Sequence, residues 1–385
     1  MNKDNKYLYG FIFFYAFMYM ANAIYGTFVP VYLSNIGYGQ TAIGALLALG
    51  PFIAMIAQPI WGVAGDRAKT KNVILQILLL GSAISIIIYP LSNGFYYIAF
   101  IMGLYTFFQT SIAPLSDAIT LEYIDKTRWK FGTIRMAGTI GFAIMSVLAG
   151  IIAKKNINAI FILCFGVIML NFAISFLLPK IKGYQYNAPK VSIWELFKNH
   201  ELVLLMIFNL IIQTTLGFYY AFFPIYFKEI GGDNALLGWA MFISSISEIP
   251  FLLFADKILK KLGTERTLLA SGTVAAVRWL LLHFVNDPYI VLPLQLLHGL
   301  IFIVFSFAMA TYINKEVPKE LRASGQTVNG LIGLGLSRIL GSILGGALSD
   351  MVGIKQVFLY DSLFAFGAVL MFGLIFTIRS RIRRA

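Results

Sequence analysis

The sequence is poor in cysteine, histidine and charged side chains. It has one cysteine, Cys164, and three histidines, His200, His283 and His298, which stand far apart in the chain. A single cysteine excludes a disulfide framework and a CxxC metal or redox motif. No HExxH motif, Asp-rich cluster, Ser/His/Asp set or Walker motif occurs, so metal catalysis and ATP-driven work are not indicated. We therefore expect no enzyme activity, no metal and no cofactor.

Charge is scarce because most of the chain is apolar. Charged residues make up 12% of the 385 residues, hydrophobic residues make up 59%, and the mean hydropathy is +0.80. Soluble chains have roughly 45–50% apolar and about 25% charged residues. A chain this apolar has too little polar surface to face water, so we expect a lipid bilayer around most of it.

Long apolar runs recur along the chain. A membrane span needs about twenty mostly apolar residues. Such runs lie near residues 8–33, 41–64, 72–92, 95–121, 132–153, 157–179, 201–227, 235–255, 267–285, 288–313, 323–349 and 354–378. The pattern predicts an all-α membrane protein with twelve transmembrane helices, tilted because most runs exceed the required length.

The positions of the basic residues predict the orientation of these spans. With the N-terminus inside, twenty-three of the thirty lysines and arginines fall on inner segments. The outer loops contain four, Lys154, Lys155, Lys228 and Lys355. Because cytoplasmic loops are enriched in basic residues, we expect a multi-pass protein of the cell membrane with both termini cytoplasmic. The net charge of +13 is spread over these loops, so no nucleic-acid partner is expected.

A long polar stretch divides six predicted spans from six. We expect an N-terminal six-helix bundle over 1–179, a cytoplasmic linker over 180–200, and a C-terminal six-helix bundle with a basic tail over 201–385. Two such halves with a substrate site between them at mid-depth are the build of many secondary transporters.

Each half has an acid–base pair after its second span. Asp66-Arg67 follows Gly62 after span 2, and Asp256-Lys257 follows span 8. We interpret both as loops that bind a neighbouring helix in one conformation only. The alternative is an ordinary loop salt bridge in each place.

Ionisable side chains inside the spans mark candidate sites. Each costs about 2.5–3.5 kcal/mol on insertion scales, so each needs a partner or a polar cavity. They are Asp117, Arg135, Glu248, Arg278, His298, Arg338 and Asp361.

Some of these residues share helix faces with polar and aromatic neighbours. Residues three or four apart lie on one face of a helix. Such stripes contain Arg135, Thr139, Phe142 and Ser146 in span 5, and Tyr15, Tyr19 and Asn22 in span 1. A cation and a carboxylate beside an aromatic ring can hold a polar ring, which makes Asp117 and Arg135 candidate binding residues. The alternative is that this pair is a structural ion pair between adjacent helices.

The segment from Phe131 to Phe142, with Asp117 eighteen residues before Arg135, resembles lactose permease and the oligosaccharide:proton symporters. These are major facilitator proteins, and the loop from Gly62 also resembles their GxxxDRxGRR motif. The resemblance implies that Asp117 and Arg135 bind a sugar and that Phe142 stacks on it. The usual acid there is Glu and the usual ring is Trp.

In the C-terminal half, Glu248, Arg278 and His298 are similar to the proton-coupling acid, arginine and histidine of that family. The family's proton-carrying glutamate is Ile301 here, and its lysine is Gln295. At both positions this chain is instead similar to the phenylpropionate permeases. With Ile301 in place of the glutamate, we take Glu248, Arg278, His298 and Asp361 as the candidate coupling residues.

The sequence therefore predicts a secondary active symporter that moves a sugar, glycoside or nucleoside with protons, or with sodium, by alternating access. His298 and Asn22 are expected to contact this small-molecule substrate together with Asp117, Arg135, Thr139 and Phe142. A monomer is expected. The alternatives are an aromatic-acid permease, in which an arginine holds the carboxylate, a drug exporter and, from another class, a polytopic membrane enzyme.

Overall fold

The computed structural model describes residues 3–125, 127–182, 193–318 and 321–382. Within these ranges all regular structure is helical and no strand occurs. Part of the predicted linker (183–192) and the end of the predicted basic tail (383–385) lie outside the described residues, as do the loop cations Lys126, Lys190 and Lys319.

The described chain forms fifteen α-helices. They are α1 (Lys3–Asn35), α2 (Gln40–Arg67), α3 (Lys71–Ile87), α4 (Phe95–Gln109), α5 (Ile112–Ile124), α6 (Phe131–Lys155), α7 (Ala159–Ser175), α8 (His200–Glu229), α9 (Asn234–Ile246), α10 (Glu248–Phe284), α11 (Pro288–Leu294), α12 (Phe302–Glu316), α13 (Arg322–Gly330), α14 (Ser337–Val352) and α15 (Ile354–Ile382).

Ten helical runs among the described residues are long and apolar enough to cross a membrane, and α7 is a shorter apolar helix. One run, Asn234–Phe284, covers 51 residues and includes the predicted span 235–255 and all but the last residue of the predicted span 267–285. The segment between them was expected to be a loop, but it is helical except at Gly263, whose φ is 77°. Glycine adopts this positive φ at little cost. The all-helical membrane architecture agrees with the sequence, and the count of twelve spans stays a prediction.

The chain divides into two compact units. The first comprises Met1–Tyr38, Leu49–Ala188 and Asp233–Phe242, and the second comprises Gly39–Ala48, Pro189–Gly232 and Ile243–Ala385. In the first unit α1 packs on α6 and α7, and α3 packs on α4, α5 and α7. In the second unit α10 packs on α12 and α15, and α14 packs on α8 and α15. The domain limits expected from the sequence stay a prediction.

Glycines set the closest helix contacts in each unit. In the first unit a Cβ on Gly141 of α6 would collide with the backbone of Ala16, and one on Gly138 would collide with the Tyr19 ring. In the second unit a Cβ on Gly341 of α14 would collide with the backbone of α8 at Thr214. Small residues allow membrane helices to approach in this way. These contacts bring α1 against α6 and α8 against α14.

Four interruptions of helical geometry lie beside mid-span polar residues. The α4–α5 boundary at 110–111 precedes Pro114, which lacks an N–H and lies one turn before Asp117. Ser247 separates α9 from α10 directly before Glu248. A 3₁₀ turn at Gln295–Leu300 contains His298, and a π-helical segment at Leu331–Leu336 precedes Arg338. Such irregular turns are frequent at functional sites, so the helix breaks and the ionisable residues indicate the same places.

Candidate functional site

Two clusters of polar side chains lie inside the units, one in each. The cluster of the first unit, called the Asp117 cluster, is formed by Tyr15, Tyr19, Asp117, Thr120 and Arg135. The cluster of the second unit, called the His298 cluster, is formed by Tyr219, Tyr220, Glu248, Arg278, Gln295, His298 and Arg338.

In the Asp117 cluster, α1 supplies the main partner of the carboxylate. The Tyr15 hydroxyl donates to Asp117 Oδ1 at 2.5 Å and lies 3.3 Å from Thr120 Oγ1. Tyr15 is fully buried, and its ring meets the Phe131 ring edge-on at 6.1 Å between centroids. Asp117 Oδ1 is therefore fixed by a buried donor, while Oδ2 faces Arg135.

The contact between Arg135 and Asp117 is loose. Arg135 Nη1 lies 3.5 Å from Asp117 Oδ2, and the two side chains are 50% and 27% exposed. The guanidinium also lies over the Tyr19 ring at 5.9 Å. An exposed pair of this kind contributes about 0–1 kcal/mol, and it uses one of the five donors of the guanidinium. The arginine and the carboxylate therefore retain hydrogen-bonding capacity for a ligand.

The other predicted binding residues of the first unit lie on the neighbouring turns. Asn22 Oδ1 accepts from Gln109 Nε2 at 2.5 Å, and both line a small cavity with Tyr105 and Asn171. Thr139 and Phe142 follow Arg135 on α6 and are half-buried. The Phe142 carbonyl accepts from Ser146 at 2.8 Å, so the predicted α6 stripe is present.

The His298 cluster is built around a buried arginine. Arg278 is 0% exposed, and its Nη2 donates to Gln295 Oε1 at 2.6 Å while its Nη1 lies 3.0 Å from His298 Nδ1. Its guanidinium carbon lies 4.3 Å from the centre of the Tyr219 ring. Tyr219 also donates to Gln295 Oε1 at 2.8 Å. Desolvated cation–π contacts are worth about 2 kcal/mol or more, so Tyr219 and Gln295 together hold the arginine.

The 3₁₀ turn that presents His298 is held by serines of α10 and of the α9–α10 break. The Gly299 N–H donates to Ser247 Oγ at 2.9 Å, and Ser271 Oγ donates to the Leu300 carbonyl at 2.6 Å. A Cβ on Gly299 would collide with the Ser247 carbonyl. Only glycine allows this approach, which places His298 beside Glu248.

The hydrogen-bond partners of His298 determine its tautomer. A guanidinium has donors only, so His298 Nδ1 accepts from Arg278 and bears no hydrogen. The ring is then neutral, with its hydrogen on Nε2. Nε2 lies 2.9 Å from the Tyr220 hydroxyl and 3.7 Å from Glu248 Oε1. Only the shorter distance is a hydrogen bond, so Tyr220 accepts from His298 and its own hydroxyl hydrogen remains available to another acceptor.

Of the four predicted coupling residues, three are brought together. Glu248 and Arg278 both contact His298. Asp361 is placed apart on α15, where its Oδ2 is buried and has no hydrogen-bond partner among the described residues. Arg278 contacts His298 and Gln295 directly, and Glu248 contacts the other ring nitrogen of His298.

The residues of the two predicted loop motifs are exposed. Gly62, Asp66 and Arg67 lie at the end of α2, and Asp256 and Lys257 lie on α10. Lys257 stands over the Phe254 ring at 5.8 Å. In the ranges that the structure describes, no ion pair of Asp66 or Asp256 is seen, and the expected contacts of both motifs with neighbouring helices stay a prediction.

Several residues of the clusters were absent from the sequence-based site. Tyr15 and Tyr19 were placed on a stripe, and Gln295 was noted as a departure, but none was assigned a role. Tyr219 and Tyr220 gave only a weak signal, adjacent tyrosines within an apolar run, in a chain with 20 tyrosines. Across the described residues, no group of three His, Cys, Asp or Glu side chains could hold a metal ion.

Comparisons with known proteins agree with this architecture. A model described as the MFS_1 like family matches residues 8–360. The uncharacterized transporter YwbF of Bacillus subtilis (strain 168) is 29% identical over 94% of this chain and 90% of its own length. The maltose permease of Geobacillus stearothermophilus is 24% identical over 93% of this chain and 92% of its own length.

Among solved structures, the nucleoside transporter NupG superposes with a TM-score of 0.86 and 18% identity, covering 98% of this chain and 99% of that chain. At this identity the match concerns the fold. The chain thus has the fold of a transporter over nearly its whole length.

Proposed function

The chain belongs to the MFS_1 like family and is a multi-pass membrane transporter, not an enzyme, and from this we propose that it is a proton-coupled symporter of a small polar ring solute. The solute class is a sugar, a glycoside or a nucleoside. The maltose permease and nucleoside transporter similarities favour this class, and the Asp117 cluster has the groups to bind it.

The contact that carries the binding proposal is the loose pair of Arg135 and Asp117. A bound sugar or ribose hydroxyl would donate to the carboxylate and accept from the guanidinium, exchanging a weak contact for two charge-assisted hydrogen bonds. The Tyr19 ring beneath the arginine and Phe142 on α6 provide apolar faces for the ring. A purely structural pair would be expected to be buried and bidentate, which this pair is not.

Proton coupling is proposed to run through Glu248. Its carboxylate is the acidic group of the His298 cluster, and the cations of that cluster are Arg278 and Arg338. Protonation of Glu248 removes the negative charge that partly balances these cations, so the cluster must rearrange or take up an anionic or dipolar group. In a coupled carrier the proton and the solute must both change the same set of interactions, here those of the His298 cluster.

The finer membrane arrangement is part of the same proposal. We take Asn234–Phe284 as two spans and α7 as another, which gives twelve spans in two six-helix halves. Inner loops rich in lysine and arginine favour both termini in the cytoplasm of a cell membrane protein. The carrier would work as a monomer by alternating access, with Asp66 at the end of α2 and Asp256 on α10 biasing its two states.

Uptake by proteoliposomes tests the proposal. Purified protein would be reconstituted, and accumulation of radiolabelled uridine and maltose would be followed under an inside-alkaline pH gradient. We expect accumulation of one class above equilibrium, abolished by a protonophore. Accumulation driven by a sodium gradient alone would overturn proton coupling, and uptake of neither class would overturn the solute assignment.

A further inference from the structure

The second unit contains an arginine, Arg338, to which the coupling proposal assigns no bond. Arg338 lies on the first turn of α14, directly after the π-helical segment Leu331–Leu336. Its guanidinium carbon is 4.0 Å from the centre of the Tyr220 ring. Its Nε is buried and has no hydrogen-bond partner, and no carboxylate of the described chain lies within ion-pair distance.

The cations of the His298 cluster outnumber its acids. Arg278 meets the neutral groups His298 and Gln295 and the Tyr219 ring, and Arg338 meets the ring of Tyr220. Guanidinium groups stay charged in proteins. The carboxylate in contact with this cluster is Glu248, 3.7 Å from His298. The cluster thus has two positive charges and one negative charge.

No second acid within the unit corrects this imbalance. Asp361 is the other mid-span acid of the second unit, and its buried Oδ2 has no hydrogen-bond partner among the described residues. The face of an aromatic ring compensates a desolvated cation only partly. A charge inside a span is usually paired or faces a substrate pathway. We therefore expect a bound anion, and not another side chain of this unit, to compensate the excess positive charge.

The hydrogen bonds of Tyr220 supply a second donor at the same place. Its hydroxyl accepts from His298 Nε2 at 2.9 Å, so its own hydrogen is not used in that bond. Two donor groups therefore lie close together. One is the cationic guanidinium of Arg338, which lies over the Tyr220 ring, and the other is the neutral hydroxyl of Tyr220. Arg338 directly follows the π-helical segment, at whose end Ser337 Oγ donates to the Gly333 carbonyl at 2.6 Å.

We propose that Arg338 and Tyr220 bind a carboxylate group of the transported solute. This rests on the proposed function and narrows it to ring solutes that bear one carboxylate, such as uronides or carboxylated nucleosides. One unit of negative charge restores neutrality in the cluster, and a planar carboxylate fits the two-pronged donor edge of a guanidinium. A dianionic phosphate would leave the cluster with a net negative charge.

Matched ligand pairs test the proposal on the full-length protein in nanodiscs of neutral lipid. One pair is phenyl glucuronide with phenyl glucoside, and the other is orotidine with uridine, each differing by a carboxylate. We expect the carboxylate member of at least one pair to bind about tenfold or more tightly by calorimetry. In Arg338→Gln this preference should fall to within about threefold, and a single monodisperse peak in size-exclusion chromatography shows that the variant is folded. Arg338→Lys should be intermediate because lysine retains the charge without the planar fork.

Arg266→Gln is the matched control, since Arg266 is an exposed arginine of α10, and it should retain the full preference. Equal binding of both members by the unaltered protein would overturn the carboxylate site while leaving the proposed function in place, provided that the neutral solute is accumulated under a pH gradient. A preference that survives in Arg338→Gln would remove Arg338 from the site. Binding of neither member in either pair would overturn both proposals.

Discussion

Arg278 donates to Nδ1 of His298 at 3.0 Å, and this one bond determines how the polar network of the second unit can accept a proton. With Nδ1 occupied as an acceptor, His298 cannot gain a second hydrogen unless the arginine moves away. Glu248, at 3.7 Å from the other ring nitrogen, is the group that can be protonated without breaking that bond.

Replacing Glu248 is therefore the most direct test of coupling. Glu248→Gln should abolish proton-driven accumulation while solute exchange across the membrane continues, because the amide retains the shape and loses the titrating group. Counterflow and gradient-driven uptake in proteoliposomes separate the two activities. Glu316→Gln, an exposed acid at the end of α12, should leave both unchanged. Continued uphill accumulation by Glu248→Gln would shift the proton site to Asp361 or His298.

The binding role of Arg135 can be separated from a structural role. Arg135→Lys should weaken solute binding nearly as much as Arg135→Ala, because lysine lacks the planar donor fork of arginine. We expect a loss of tenfold or more, which corresponds to about 1.4 kcal/mol or more of binding free energy. Asp117→Asn should weaken binding similarly. Equilibrium binding measures this, with Arg128→Lys, an exposed loop arginine, as the matched control. Near-normal binding by the lysine variant would favour the structural ion pair.

Gly299 should be the most sensitive glycine of the His298 cluster. In Gly299→Ala the new Cβ would collide with the backbone of Ser247, so the turn that presents His298 must shift. Overpacking of this kind costs about 1–3 kcal/mol or more, and we expect a lowered Tm with loss of uphill uptake. Gly166→Ala on α7, where no atom would lie within 4 Å of the Cβ, should be neutral or slightly stabilising. A normal Tm in Gly299→Ala would contradict the packing seen here.

The loop at the end of α2 should affect rate rather than affinity. Asp66→Asn is expected to reduce transport several-fold more than it reduces solute binding, because the exposed residue lies outside both clusters and would alter the balance of conformational states. Flux and equilibrium binding on the same preparation decide this. Asp125→Asn, another exposed loop acid, is the control. Equal losses of binding and flux would contradict the loop assignment.

An exposed pair in the first unit has a predictable pH dependence. Lys154 Nζ lies 2.8 Å from Asp233 Oδ2, and this contact, with the Leu236 N–H, lowers the pKa of Asp233. Because the folded value is depressed, the stabilisation is present above the ordinary pKa of about 3.9 and is lost as pH falls through the lowered value. Lys154→Met should therefore lower the free energy of unfolding at neutral pH by less than about 1 kcal/mol, seen as a slightly lower Tm. At a pH below the lowered pKa of Asp233 the variant and the unaltered protein should have the same Tm. Lys155→Met is the control, and a difference that persists in acid would contradict the assignment.

The sequence by itself determined where the chain enters lipid and which side chains are out of place there. Both are local properties, because a run of about twenty apolar residues predicts a span and an ionisable group within it is costly wherever the helix packs. Asp117, Arg135, Glu248, Arg278, His298 and Arg338 could be singled out on this basis. The expected loop at 256–266 was wrong because lysine, leucine and glutamate there favour helix, and the run is interrupted only at Gly263.

Only the tertiary structure decided which of these side chains meet. Tyr15 and Asp117 are 102 residues apart, and Tyr220 and His298 are 78 apart, so neither contact has a local signature. Their pairing depends on how closely helices approach. Gly141 and Gly341 set this distance through backbone contact, and Gly138 sets it against the Tyr19 ring. It also depends on the irregular turns next to His298 and Arg338. The same packing left Asp361 apart and Arg338 without an acid, because the distance between helices, and not the identity of the residues on them, determines which charges are compensated.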